Sequence, residues 1–124
     1  MIHLDTNFLI GLSQADSEQR RKLENWMRGR QRVGTSAVAW AEFLCGPLPG
    51  GGAASIALVV GDPLPFTAED ATRAALLFNA TGRRRGSLID CMIAAAALRA
   101  GASVATSDAG HFDRFVAHGL RLAE

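Results

Sequence analysis

An apolar run, Met1, Ile2 and Leu4, stops at Asp5, and the apolar residues that follow, Phe8, Leu9, Ile10 and Leu12, fall at helical spacing. A short apolar stretch bounded by a polar switch reads as a strand buried on both faces in a parallel sheet. Parallel strands need crossover connections, usually helices, so this opening restricts the chain to the α/β class. Asp5 then stands at the carboxyl end of a strand, in the crevice where open α/β sheets bind ligands. Val104-Ala105-Thr106, ending in Ser107-Asp108, repeats the pattern about a hundred residues later.

Between these strands the sequence reads as a series of helices. Asp16 with Gln19 three residues on predicts an N-cap for a helix from Ser17 to about Arg28, with Leu23, Trp26 and Met27 on its inner side and Gly29 at its end. Gln31 to Gly34 is a short link with the character of a second strand. Thr35 or Ser36 caps a helix carrying Ala37, Val38, Trp40, Phe43 and Leu44, in which Glu42 is the one charge. Gly46-Pro47 stops it, the stretch to Gly52 is a turn, and Ala53 to Val60 forms a small apolar helix. Thr67 with Asp70 is a capping box for a helix to about Thr81, with Ala71, Ala74, Ala75 and Phe78 inward. Ser87 with Asp90 repeats that spacing before the most apolar helix, Leu88 to Arg99, which Gly101 closes. A turn holding His111, Phe112 and Phe115 leads to a last strand at Gly119 to Leu122. The order implies a parallel sheet flanked by helices, and 124 residues make one domain, 1–124, that buries roughly two thirds of its unfolded surface.

Composition excludes more than it assigns. A net charge of +1 does not by itself predict nucleic-acid binding. Cys45 and Cys91 lack metal-ligand spacing and read as reduced core thiols. No basic region precedes an apolar core at the N-terminus, and the longest apolar run, Cys91 to Leu98, is eight residues. The expectation is a soluble, cytoplasmic protein without a membrane segment.

Four acids, Asp5, Glu42, Asp90 and Asp108, each border an apolar element. Taken singly, each has an ordinary use: Asp5 and Asp108 cap the helices after them, Asp90 completes a capping box, and Glu42 lies on a solvent stripe. Taken together, one cleft is the more economical reading. Asp5 and Asp108 share one edge of a parallel sheet, and Glu42 and Asp90 come from the starts of helices at that same edge. Carboxylates about 4 Å apart repel by roughly 4 kcal/mol at an effective dielectric of about 20. A hard dication reverses that sign, and oxygen ligands select Mg²⁺ or Mn²⁺. Carboxylate-held metal suits hydrolysis of phosphodiesters.

At this point the sequence resembles the PIN-domain family, and within it the VapC-type toxins of prokaryotic toxin–antitoxin pairs. The resemblance rests on Leu4-Asp5-Thr6-Asn7, Ser36 to Glu42, Asp90 with Ile93-Ala94-Ala95, and Thr106-Ser107-Asp108 with Phe112, in that order and nearly end to end. It implies a three-layer α/β/α sandwich around a mainly parallel sheet of about four or five strands. It also implies an Mg²⁺-dependent endoribonuclease, with Mn²⁺ as a substitute, that is held inactive by a cognate antitoxin protein and forms a homodimer. Asp5, Glu42, Asp90 and Asp108 take the family's acidic site: Asp5 and Asp90 as direct metal ligands, Asp108 and Glu42 partly through water. Thr6 and Thr106 match small hydroxyl positions that orient water or carboxylates. Relatives often carry a further Asp where His111 stands here, which makes His111 a supporting or RNA-facing residue. That departure keeps open a catalytically weakened binding module of the same fold. An aspartate-nucleophile phosphatase is a further alternative, although the second acid it would want two residues after Asp5 is replaced by Asn7. Arg83, Arg84 and Arg85 precede the Asp90 helix and are candidates for binding RNA phosphates at the cleft rim. The second cluster, Arg20 to Lys22 with Arg28, Arg30 and Arg32, reads as a solvated face, and Trp40 as core or interface.

Overall fold

In the computed structural model, which describes residues 1–47 and 52–124, β1 (Ile2–Leu4) lies inside a wholly parallel sheet with β2 (Val33–Gly34), β3 (Ser103–Ala105) and β4 (Arg121–Leu122). The strand order is β2-β1-β3-β4. All three residues of β1 are buried, as an inner strand covered on both faces requires. Register is fixed by Ile2 opposite Val33 on one side and by Ile2, His3 and Leu4 opposite Ser103, Val104 and Ala105 on the other.

This order creates a switch point. The chain leaves β1 toward β2 on one side, whereas β3 pairs with the opposite edge, so a crevice opens beyond the carboxyl ends of β1 and β3. There the Asp5 amide donates to the Ala105 carbonyl at 2.9 Å, which sets Asp5 and Thr106 side by side. The Thr35 hydroxyl donates to the Leu4 carbonyl at 2.8 Å and brings the exit of β2 to the same edge.

Helices cover both faces: α1 (Thr6–Leu12), α2 (Glu18–Arg28), α3 (Ala37–Cys45), α4 (Gly52–Val60), α5 (Ala68–Ala80), α6 (Leu88–Ala100) and α7 (Ala109–Phe112), with a 3₁₀ turn at Asp113–His118. The fold is the expected α/β sandwich with four described strands. Phe8, Phe43, Phe112 and Phe115 fill the core, each 2% exposed or less. Ala94 to Ala97 of α6 are wholly buried, and side chains this small let neighbouring elements approach closely. α5 is bound to α6 through Asp70, whose carboxylate accepts from Arg99 Nε at 2.7 Å and Nη2 at 3.0 Å; Arg99 Nη2 also donates to the Pro65 carbonyl. None of the described helices is long and apolar enough to cross a membrane.

Several local expectations need correction. Ser17, not Asp16, caps α2, by accepting from the Arg20 amide at 3.2 Å. Asp16 has φ 55°, a left-handed conformation incompatible with the extended backbone of an N-cap. Only Leu23 of the expected inner trio is buried; Trp26 is half-buried against Phe8, and Met27 is exposed. On α5 the buried residues are Asp70, Ala74 and Leu77, while Ala71 and Ala75 face solvent. Cys91 is a core thiol but Cys45 is exposed. Arg20 and Arg21 are more than a solvated face, because they donate to the Leu12 and Asp16 carbonyls and tie α2 to the preceding turn. The turn expected between Pro47 and Gly52 falls largely on 48–51, outside the described residues.

Candidate functional site

The crevice at the ends of β1 and β3 is built around Asp5. Its backbone turns from strand to helix with φ −72° and ψ 163°, and its Oδ1 accepts from the Thr6 amide at 2.7 Å, so it caps α1 as one reading of the sequence expects. The same carboxylate faces across the sheet, where Oδ2 accepts from the Thr106 hydroxyl at 2.8 Å. Thr106 Oγ1 in turn accepts from the Asp108 amide at 3.0 Å and so fixes the loop after β3. On the other side the Thr6 hydroxyl donates to Glu42 Oε1 at 2.6 Å. Glu42 is therefore exposed but held at the cleft by its neighbour on α1.

Asp90 enters from the first turn of α6. The capping box expected there does not form: Ser87 has helical backbone angles, makes no side-chain cap, and its hydroxyl donates to the Arg84 carbonyl at 2.7 Å. The Asp90 carboxylate is thus left to face the cleft. Its neighbour is Arg114 of the 3₁₀ turn, with Nη2 3.7 Å from Asp90 Oδ2, an ion pair beyond hydrogen-bond reach. His111 pairs with Asp108, Nε2 to Oδ2 at 3.2 Å.

Electrostatics link the four acids into one group. Burial pushes the Asp5 carboxyl up to about 6, against the downward pull of its bonds from Thr106 and Thr6; the charges of Asp90 and Glu42 add to the rise. Burial likewise raises Asp90, with Glu42 and Asp108 raising it further and His111 and Arg114 pulling the other way. Removal from water is the main cause at both Asp5 and Asp90, and the neighbouring acids add a smaller push in the same direction.

The donor set is all oxygen, which fits a hard divalent cation. Among the described residues no three His, Cys, Asp or Glu side chains form a group that would hold an ion as they stand. Magnesium does not require one, since it keeps several waters and binds through one or two carboxylates.

Of the sequence-predicted residues, the structure brings together Asp5, Thr6, Glu42, Asp90, Thr106, Asp108 and His111. Arg83, Arg84 and Arg85 are exposed and, among the described residues, no ion pair joins them to the four acids. Arg83 instead donates to Asn79 Oδ1 and lies over the Phe78 ring, 5.6 Å from its centroid. The cation that does reach the cleft, Arg114, was missed by sequence reasoning. Its signal was its place beside core aromatics, in the stretch Phe112-Asp113-Arg114-Phe115. Its guanidinium lies 4.6 Å from the Phe115 centroid.

The family model of the PIN domain matches residues 2–117. The chain belongs to the PIN-domain family. Solved PIN-like structures align along nearly all of it. FitAcB from Neisseria gonorrhoeae is 25% identical, with a TM-score of 0.73, covering 100% of this chain and 97% of that one. VapBC2 from Rickettsia felis, bound to a DNA fragment from its promoter, is 18% identical with a TM-score of 0.77, covering 99% and 98%. VapC20 from Mycobacterium tuberculosis, a Sarcin-Ricin loop cleaving toxin, is 20% identical with a TM-score of 0.67, covering 100% and 99%. Compared with curated proteins, the sequence matches none significantly.

Proposed function

We propose that this PIN domain is a Mg²⁺-dependent endoribonuclease and the toxin of a type II toxin–antitoxin pair. The observation that carries the reading is the meeting of Asp5, Glu42, Asp90 and Asp108 at the switch point, with buried Asp5 held by Thr106 and Glu42 held by Thr6. Asp5 and Asp90 are the residues to hold the ion, with Asp108 and Glu42 contributing partly through water. The chemistry that magnesium supplies in such a site is a lowered water pKa and neutralised phosphoryl charge.

The chain's own side chains have definable tasks around that chemistry. Thr106 directs one Asp5 oxygen and Thr6 restrains Glu42, so two carboxylates are oriented before substrate arrives. His111 tempers Asp108, and Arg114 tempers Asp90, without closing off either carboxylate. Arg83 to Arg85 are exposed at the turn leading into α6 and suit binding the phosphates of a longer RNA. An antitoxin protein as regulator is supported by the structural likeness to FitAcB and VapBC2. A homodimer follows from the same family reading.

The test is cleavage of a pool of structured RNAs with and without Mg²⁺, compared across wild type, Asp5→Asn and Asp90→Asn. Metal-dependent cleavage, lost in both folded variants, is the expected result. Undiminished cleavage in EDTA, or in either variant, would refute the metal-site reading. No cleavage by folded wild type across the Mg²⁺ and Mn²⁺ titrations would favour a binding module of the same fold.

A further inference from the structure

The side chain of Gln19 leaves α2 and reaches the loop after β3, where its Nε2 donates to Ser107 Oγ at 2.7 Å. It passes directly over Gly11, in the last turn of α1. A Cβ built on Gly11 would stand 2.4 Å from Gln19 Cδ and 2.6 Å from Cγ, so an alanine there would force the Gln19 side chain to move. The missing side chain at Gly11 opens the track along which the Gln19 amide lies. Gln19 and Ser107 line a cavity of about 260 Å³ together with Phe8, Glu18, Lys22, Thr106 and Ala109. Thr106 belongs both to this cavity and to the carboxylate cluster, since its hydroxyl holds Asp5. The cavity is therefore the immediate neighbour of the position a scissile phosphate would take.

The geometry points to this cavity as a nucleotide subsite that reads the base next to the cleaved bond, with Gln19 as the specificity-determining residue and Ser107 as the group that sets its amide. The inference rests on the ribonuclease reading and adds to it a place where sequence preference arises. A carboxamide offers two N–H donors and a carbonyl acceptor. One donor is engaged by Ser107, which leaves a donor–acceptor face suited to the edge of a base, the arrangement by which amide side chains distinguish nucleobases. Phe8, a buried core residue, closes the apolar floor of the cavity beneath the Gln19 amide. Lys22, paired with Glu18 at 3.6 Å, is the one cation of the lining and offsets the nearby acids where a phosphate would pass.

The experiment titrates metal-free Asp5→Asn protein with AMP, GMP, CMP and UMP separately and follows the Gln19 side-chain amide and the Ser107 backbone amide by NMR. Metal-free binding keeps the result independent of whether the protein cuts RNA. Both signals are expected to move for one or two of the four nucleotides, and adding Gln19→Ala is expected to weaken that binding about tenfold, the loss typical of a base-edge contact. Gly11→Ala is expected to have the same effect by displacing the amide. The Gly11→Ala/Gln19→Ala pair relieves the overlap, so it should fold as wild type and still bind weakly. In active protein, Gln19→Ala is expected to flatten the base preference at the cleavage site in sequenced products and to raise KM for the preferred sequence more than it lowers kcat. Equal or absent shifts for all four nucleotides, shifts confined to another surface, or an unaltered affinity in Gln19→Ala would each overturn the subsite.

Discussion

Replacing Asp5 with Asn should make the metal-free protein more stable while removing its chemistry. Asp5 is 5% exposed, and its folded carboxyl titrates at about 6 against an ordinary value of 3.8. An acid raised on folding binds its proton more tightly in the native state, so stability falls as pH rises between the two values and the penalty is complete above the folded one. The gap of about 2 pH units, at about 1.4 kcal/mol each, puts that penalty near 3 kcal/mol at pH 7.5. Asparagine has nearly the same shape, can still accept from the Thr6 amide, and can turn its NH₂ toward the Thr106 oxygen. Most of the penalty should therefore be relieved, raising the melting temperature by roughly 8–12 °C for a chain of this size. The assay is thermal unfolding of both proteins in EDTA from pH 4 to 7.5. The advantage of the variant should be full at pH 7.5 and should shrink to well under about 1 kcal/mol near pH 4, where the wild-type carboxyl is protonated in the folded state and partly protonated in the unfolded one. Magnesium at pH 7.5 should raise wild type and leave Asp5→Asn unmoved. An Asn variant less stable than wild type at pH 7.5 without metal would refute the reasoning, because it would make the Asp5 charge a structural partner and not a charge held for a ligand.

Glu42→Ala is expected to leave metal-free stability unchanged or slightly higher, since it removes one of several clustered like charges, while RNA cleavage falls at least tenfold; a large drop in melting temperature would contradict this. Asp70→Ala should behave oppositely and destabilise by about 3 kcal/mol, because Arg99 loses a two-pronged partner and α5 loses its capping box. Burial would raise the Asp70 carboxyl, but its bonds from Arg99 and Thr67 and the Arg99 charge hold it below its ordinary value. Its contribution is therefore present above about pH 4 and is lost as pH falls through the depressed folded value, so urea midpoints of wild type and Asp70→Ala should converge in strong acid. Combined Arg83→Ala, Arg84→Ala and Arg85→Ala should weaken binding of long RNA and flatten its dependence on salt, measured by titration at several ionic strengths.

What the sequence made legible was the part of the site fixed by period and position. Strand-end acids are forced to one edge of a parallel sheet, so Asp5 and Asp108 were placed without knowledge of any contact, and the Thr67–Asp70 capping box formed as its spacing predicts. Spacing misled where a tertiary partner competed for the same atom. Gln19 looked like the N3 partner of a cap at Asp16, yet its amide is drawn to Ser107, 88 residues away. Ser87 and Asp90 have capping-box spacing too, but the loop carbonyl of Arg84 takes the serine hydroxyl and frees the acid. The arginine run at 83–85 stood out by density, whereas Arg114 had no neighbour of its kind to draw the eye. A single guanidinium over a ring in the turn after α7 is the one that meets Asp90.

The placement of β1 between β2 and β3 has a consequence for how the molecule comes into being. Ile2, His3 and Leu4 must wait for Ser103, Val104 and Ala105 before the central ladder closes, and pairings this distant along the chain form slowly. A nascent polypeptide emerging from the ribosome would present Asp5 about a hundred residues before Thr106, Asp108 and Arg114. The cleft is thus a product of the closed sheet and not of any one segment, and a chain in which the β1–β3 ladder has opened has no site to lose piecemeal.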